Sequence, residues 1–134
     1  MRAGAGTPPS DKKKYRACGS GPDMNVVLVT GGASGIGAAL CRQLAARGDR
    51  VVVSDLNLDG AQALATEIGG RAVQLDVTDA DAFAAVARQI VEIEGRLDQL
   101  YNNAGVGLAG QVRDLEPRHW RTVIDVNLYG VING

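Results

Sequence analysis

Gly31, Gly35 and Gly37 stand in the pattern Gly-x-x-x-Gly-x-Gly, directly after the strand-forming run Val26-Val27-Leu28-Val29-Thr30. Ile36, Leu40 and Leu44 follow at helical spacing. A glycine turn between a strand and a helix that begins near Ser34 aims unpaired N–H groups, and roughly +0.5 of an elementary charge, at the space in front of it. A diphosphate suits that place. Gly31 can take positive φ at the turn, Gly35 lets a ligand approach the main chain, and Gly37 has no Cβ to hold the helix off the strand. The spacing differs from the dinucleotide fingerprint Gly-x-Gly-x-x-Gly, and no Gly-Lys-Ser/Thr follows, which excludes a Walker loop.

Three polar groups could complete such a site, each at the end of a later strand. Asp55 lies eighteen positions after Gly37, near the offset of about 20 expected for a carboxylate that accepts from ribose hydroxyls. A 2′-phosphate there would meet like charge, at about 4 kcal/mol per charge pair 4 Å apart in an effective dielectric near 20. NAD is therefore favoured over NADP, unless Asp55 only caps the following turn. Asp76 could accept from an exocyclic amine, or serve the start of the next helix beside Thr78. Asn102-Asn103-Ala104-Gly105 either holds a turn or faces a ligand.

The elements that must position these groups are legible in the punctuation. A first helix ends at Arg47-Gly48, and Arg50 to Ser54 forms a second buried strand closed by Asp55. Ala61, Leu64, Ala65 and Ile68 mark a second helix that stops at Gly69-Gly70, and Ala72 to Leu75 a third strand. Thr78-x-x-Asp81 reads as a capping box for a third helix through Phe83, Val86, Ile90 and Ile93 to Gly95. Leu97 to Tyr101 is a fourth strand, and a fourth helix begins near Pro117. Strands alternating with helices imply right-handed crossovers and a doubly wound parallel α/β sheet. With strand order 3-2-1-4, a crevice opens over the glycine turn, between the first and fourth strands.

Composition narrows the classes. A formal net charge of −1 gives no basic surface for nucleic acid, and no apolar run approaches the length of a membrane span. Cys18 and Cys41 are the only cysteines and His119 the only histidine, so neither a disulfide framework nor a metal cluster is expected, and the cytoplasm is the default compartment. His119, Arg118 and Arg121 read as a solvated helix face. Residues 1–23 are rich in Gly, Pro, Ser and Lys; ordering them would cost roughly 20–45 kcal/mol, against roughly 5–9 from burying Met1, Tyr15 and Cys18. They are expected to be a disordered extension before a domain over residues 24–134.

Thr30-Gly31-x-x-x-Gly35-x-Gly37, Asp55, Asp76-Val77, Asn102-Asn103-Ala104-Gly105 and Val126-Asn127, taken together and in this order, resemble the short-chain dehydrogenase/reductase family. The resemblance implies a Rossmann fold. It further implies that Gly31, Ser34, Gly35, Ile36 and Gly37 hold a diphosphate, Asp55 and Leu56 an adenosine ribose, and Asp76 and Val77 the adenine. By the same resemblance Asn103, Ala104 and Gly105 line the cofactor, Asn127 matches an active-site asparagine that positions a water in a proton relay, and hydride moves between NAD(P) and an alcohol or ketone.

The family also uses a Ser, and a Tyr with a Lys four residues on, whose charge lowers the Tyr pKa. Residues Gly19, Gly105 and Asn133 stand four beyond Tyr15, Tyr101 and Tyr129, all lysines lie at positions 12–14, and no serine follows Ser54. The expectation is a cofactor-binding half that ends after the fourth helix and is inactive alone, with a non-catalytic nucleotide-binding or interaction module as the alternative. A glycine-turn methyltransferase is disfavoured by the Asn-Asn-Ala-Gly element and Asn127. An edge at the fourth strand and an apolar face on the last helix, with Trp120, Val123, Ile124, Leu128 and Val131, point to a homo-oligomer in the complete enzyme.

Overall fold

Parallel pairing of the valine-rich runs builds the frame. In the computed structural model, which describes residues 24–134, β1 (Val26–Thr30) pairs with β2 (Arg50–Asp55) on one side and β4 (Gln99–Tyr101) on the other. The second strand also pairs with β3 (Arg71–Gln74), giving the order β3-β2-β1-β4. The expectation for residues 1–23 lies outside the described residues.

Side chains alternate across these strands, so each face gathers its own core. Val27, Val29, Val51 and Val53 pack with Cys41 and Leu44 of α1 (Gly35–Ala46) and with Ala61 and Leu64 of α2 (Leu58–Ile68). Val26, Leu28 and Val52 pack on the other face with Phe83, Val86 and Ile90 of α3 (Ala80–Glu94). Each Val, Leu, Ile or Phe side chain taken from water here is worth about 1.5–3 kcal/mol. The strand ends are thereby held in a fixed row.

The third strand runs Arg71–Gln74, one residue earlier at each end than Ala72 to Leu75, so that Asp76 lies in the loop after it. Two further boundaries differ for identifiable reasons. The fourth strand is shorter than Leu97 to Tyr101 because the Asp98 carboxylate accepts the Val26 N–H at 2.9 Å, where a longer ladder would need a main-chain carbonyl. The third helix is capped by Asp79, whose Oδ1 accepts from the Ala82 N–H at 2.9 Å, and not by Thr78. The Thr78 hydroxyl instead donates to Asp76 Oδ1 at 2.7 Å.

After β4 the chain makes a 3-10 turn at Val112–Asp114 and a last helix in three parts: α4 (Pro117–Ile124), a π turn (Asp125–Tyr129) and α5 (Gly130–Asn133). Apolar spacing at 3.6 residues does not announce a π turn, and the sequence reading has none. His119 is not a solvated bystander. Its Nδ1 accepts the Glu116 N–H at 3.1 Å while its own main-chain N–H donates to the Glu116 main-chain carbonyl at 2.9 Å, which closes the start of α4. The helix leaves Trp120, Ile124, Leu128 and Val131 exposed, as its apolar face leads one to expect. Among the described residues no helix is long and apolar enough to cross a membrane.

Candidate functional site

A cavity of about 410 Å³ opens at the carboxyl ends of the strands, where the order reverses between β1 and β4. Its walls are the glycine turn with Ser34 and Ile36, then Asp55 and Leu56, then Asp76 and Val77, then Asn103 to Gly105. Every residue that the sequence singles out for the cofactor thus borders one space. Leu75 and Val106 line it as well and were missed; each adjoins a named motif, and the apolar flank was the only available signal. Val126, named in the sequence beside Asn127 but given no role, lines it too.

The turn is shaped by absent side chains. Gly31 has φ +63°, and a Cβ there would lie 2.7 Å from the Ala104 Cα. A Cβ on Gly37 would collide with the Gly31 carbonyl oxygen and come within 2.6 Å of Asn103 Nδ2. Gly35 has φ +51° and nothing within 4 Å of its Cβ position, so its outer side is open. No side chain caps α1 and its first turn carries no acidic residue, which leaves its leading amides to whatever enters the cavity.

Hydrogen bonds lock this turn to the loop after β4. The buried Thr30 hydroxyl accepts the N–H groups of Asn103 and Ala104, each at 3.1 Å, and donates to the Tyr101 carbonyl at 3.3 Å. Asn103 Nδ2 donates to the carbonyls of Thr30 and Gly31 at 3.0 and 3.1 Å. Asn103 therefore both borders the cavity and braces the turn. No buried side-chain nitrogen or oxygen lacks a partner among the described residues, so the frame is set without strain from unpaired groups.

Asp55 joins two further segments. Its Oδ2 accepts the Ala33 N–H at 3.0 Å and its Oδ1 the Asn57 N–H at 3.0 Å. A carboxylate offers about four acceptor positions, so one remains on each oxygen. The carbonyl of the next residue, Leu56, is fixed by Gln74 Nε2 at 3.0 Å. Asp76 keeps one oxygen free of Thr78, which takes the other through both its amide and its hydroxyl.

Asn127 does not border the cavity. It lies in the π turn, where its Oδ1 accepts the Val106 N–H at 2.8 Å and its Nδ2 donates to the Val106 carbonyl at 2.9 Å. A Cβ on Gly105 would stand 3.3 Å from that Oδ1, so the loop lies close against the helix. The side-chain amide thus sets the Val106 wall. Burial pushes the Cys41 thiol, on the inner side of α1, up to about 11. The site has no part in it.

Comparison with known proteins gives a consistent picture. A family model described as short chain dehydrogenase matches residues 25–134. The chain is 41% identical over 113 residues to D-threitol dehydrogenase of Mycolicibacterium smegmatis, covering 81% of this chain and 44% of that one. It is 39% identical over 109 residues to acetoacetyl-CoA reductase of Paracoccus denitrificans, covering 81% and 45%. A crystal structure of 3-ketoacyl-(acyl-carrier-protein) reductase from Brucella melitensis complexed with NADH superposes with a TM-score of 0.78 at 33% identity, over 81% of this chain and 46% of that one. The chain therefore spans about half the length of the relatives it matches.

Proposed function

This chain belongs to the short-chain dehydrogenase family, and from that premise we propose that it is the NAD-binding part of an oxidoreductase that exchanges a hydride with an alcohol or ketone. Family membership carries the oxidoreductase class and a nicotinamide dinucleotide. The choice of NAD over NADP rests on one observation: Asp55 holds the turn and the β2 end together while keeping one acceptor position on each oxygen for a pair of vicinal hydroxyls.

The residues present suit such a guest. The open side of Gly35 and the uncapped amides of α1 take the diphosphate, Asp55 and Leu56 the ribose, and Asp76 and Val77 the adenine. Bound there, NAD supplies the hydride acceptor. Asn103 and Thr30 keep the turn in place, and Asn127 holds the Val106 wall. The sequence contains no Tyr with a Lys four residues on and no Ser after Ser54, so the acid–base set that the resemblance implies is not among its residues, and on this reading the chain binds the dinucleotide without turning a substrate over. The exposed apolar face of the last helix is, in the same reading, a contact between subunits of the whole enzyme.

Calorimetric titration of the chain with NADH and NADPH tests this. The expected result is measurable NADH binding, weaker NADPH binding, and no NAD-dependent oxidation of simple alcohols. Preference for NADPH would overturn the role given to Asp55, and turnover by the purified chain would overturn the assignment of inactivity.

A further inference from the structure

The last helix touches the cavity at a second place. Val77 lines the space and is only 7% exposed: it packs in the core beneath α3, and α5 lies against its outer side. A Cβ on Gly130 would lie 2.8 Å from Val77 Cγ2 and 3.2 Å from its Cβ, and Gly130 is itself buried. Its φ of −56° suits any residue, so it is the space that excludes a side chain there. One turn on, Asn133 Nδ2 donates to the Val77 carbonyl at 2.8 Å. The side chain and the main chain of one cavity residue are thus both set by α5, from positions three apart on one helix face.

We propose that Gly130 and Asn133 are positioning residues for the adenosine end of the cavity: they fix Val77, and with it the adjoining Asp76, without touching the ligand themselves. The inference rests on the reading that Asp76 and Val77 face adenine. Through Asn127 the same helix holds Val106, so the π turn between Ile124 and Gly130 lets one helix address two separate walls. A methyl group at position 130 must push α5 and the Val77 segment apart, since a branched side chain 2.8 Å away cannot yield as the tip of a flexible chain could. Loss of the Asn133 amide frees the Val77 carbonyl and leaves the packing intact.

The test uses the 134-residue chain, with 5′-AMP and nicotinamide mononucleotide as separate probes of the two ends and NADH as the whole ligand. Gly130→Ala, Asn133→Ala, Val77→Ala and the double variant Gly130→Ala/Val77→Ala are titrated well below their melting temperatures. The first two should raise the Kd for AMP and NADH about fivefold or more while changing that for nicotinamide mononucleotide by less than about twofold. Removing the Val77 methyls should make room, so that adding Gly130→Ala to Val77→Ala changes AMP affinity by less than about twofold. Equal weakening of both probes, in step with melting temperature, would show a merely structural role and overturn the proposal, as would unchanged AMP affinity in Asn133→Ala. A parent chain that binds nicotinamide mononucleotide or NADH but not AMP overturns the reading beneath it, which the variants alone could not do.

Discussion

Replacing Asp55 by Asn probes the site with the least damage to the frame. The Asn side chain keeps one acceptor oxygen for two main-chain donors. Ala33 N–H sits in a half-buried contact at 3.0 Å, whereas Asn57 N–H is in water, so the oxygen should turn to Ala33 and the NH₂ toward solvent. The loss in stability is that of one net hydrogen bond, about 1 kcal/mol. Toward NADH the variant loses a charge-assisted bond to one ribose hydroxyl, about 1.5–3 kcal/mol, so Kd rises about tenfold or more. Toward NADPH it loses a repulsion of about 4 kcal/mol at 4 Å and an effective dielectric near 20. Even half of that, about 2 kcal/mol, is roughly 30-fold in affinity. The ratio of the Kd for NADPH to that for NADH should therefore fall by about 300-fold or more, read by calorimetry at one fixed ionic strength. An unchanged ratio, with circular dichroism showing the variant folded, would refute the reasoning.

Two further outcomes follow from the geometry. Gly37→Ala should destabilise the chain by about 1–3 kcal/mol or more, because its Cβ meets the Gly31 carbonyl, whereas Gly35→Ala meets nothing and should cost about 1–2 kcal/mol for its positive φ while blocking the ligand's approach; chemical denaturation together with NADH titration separates them. Cys41 should resist alkylation in the native chain at pH 8, as peptide mapping would show, because its thiol is buried and held up to about 11. The folded-state value lies above that of the unfolded chain, so stability is intact below about pH 9. It should decline by on the order of 2 kcal/mol as pH rises toward 11, where only the unfolded chain ionises; flat stability across that window in the parent chain, relative to Cys41→Ala, would contradict this.

Much of the site could be read in the residue order because its chemistry is that of the main chain. Gly31, Gly35 and Gly37 announce a turn because the positive φ of Gly31 and Gly35 and the approach of Gly37 to the Gly31 carbonyl are local matters, although Ala104 and Asn103 close over it from far along the chain. Asp55 and Asp76 sit at strand ends, and the alternation of β-branched runs with apolar helical faces fixes where those ends lie in the sheet. Local patterns of this kind survive in a linear reading because each depends on neighbours in sequence.

Roles that depend on pairing distant segments were hidden. Asn103 lies beside the turn because β4 pairs with β1, and only that pairing brings its amide to the Thr30 and Gly31 carbonyls. The sequence placed His119 on a helix near its start, but not its Nδ1 on the Glu116 amide, because the rotamer and the cap geometry are joint properties of the folded turn. Gly130 and Asn133 look like ordinary helix residues until the docking of the last helix sets them on Val77. Periodicity and glycine placement determined the alternating strands and helices and the turn between the first pair, since they bias each backbone segment independently, and the order 3-2-1-4 followed from the topology such an alternation allows. Which side chains brace the cavity was decided by tertiary packing, because a hydrogen bond of about 3 Å exists only when two segments remote in sequence arrive together in the right orientation.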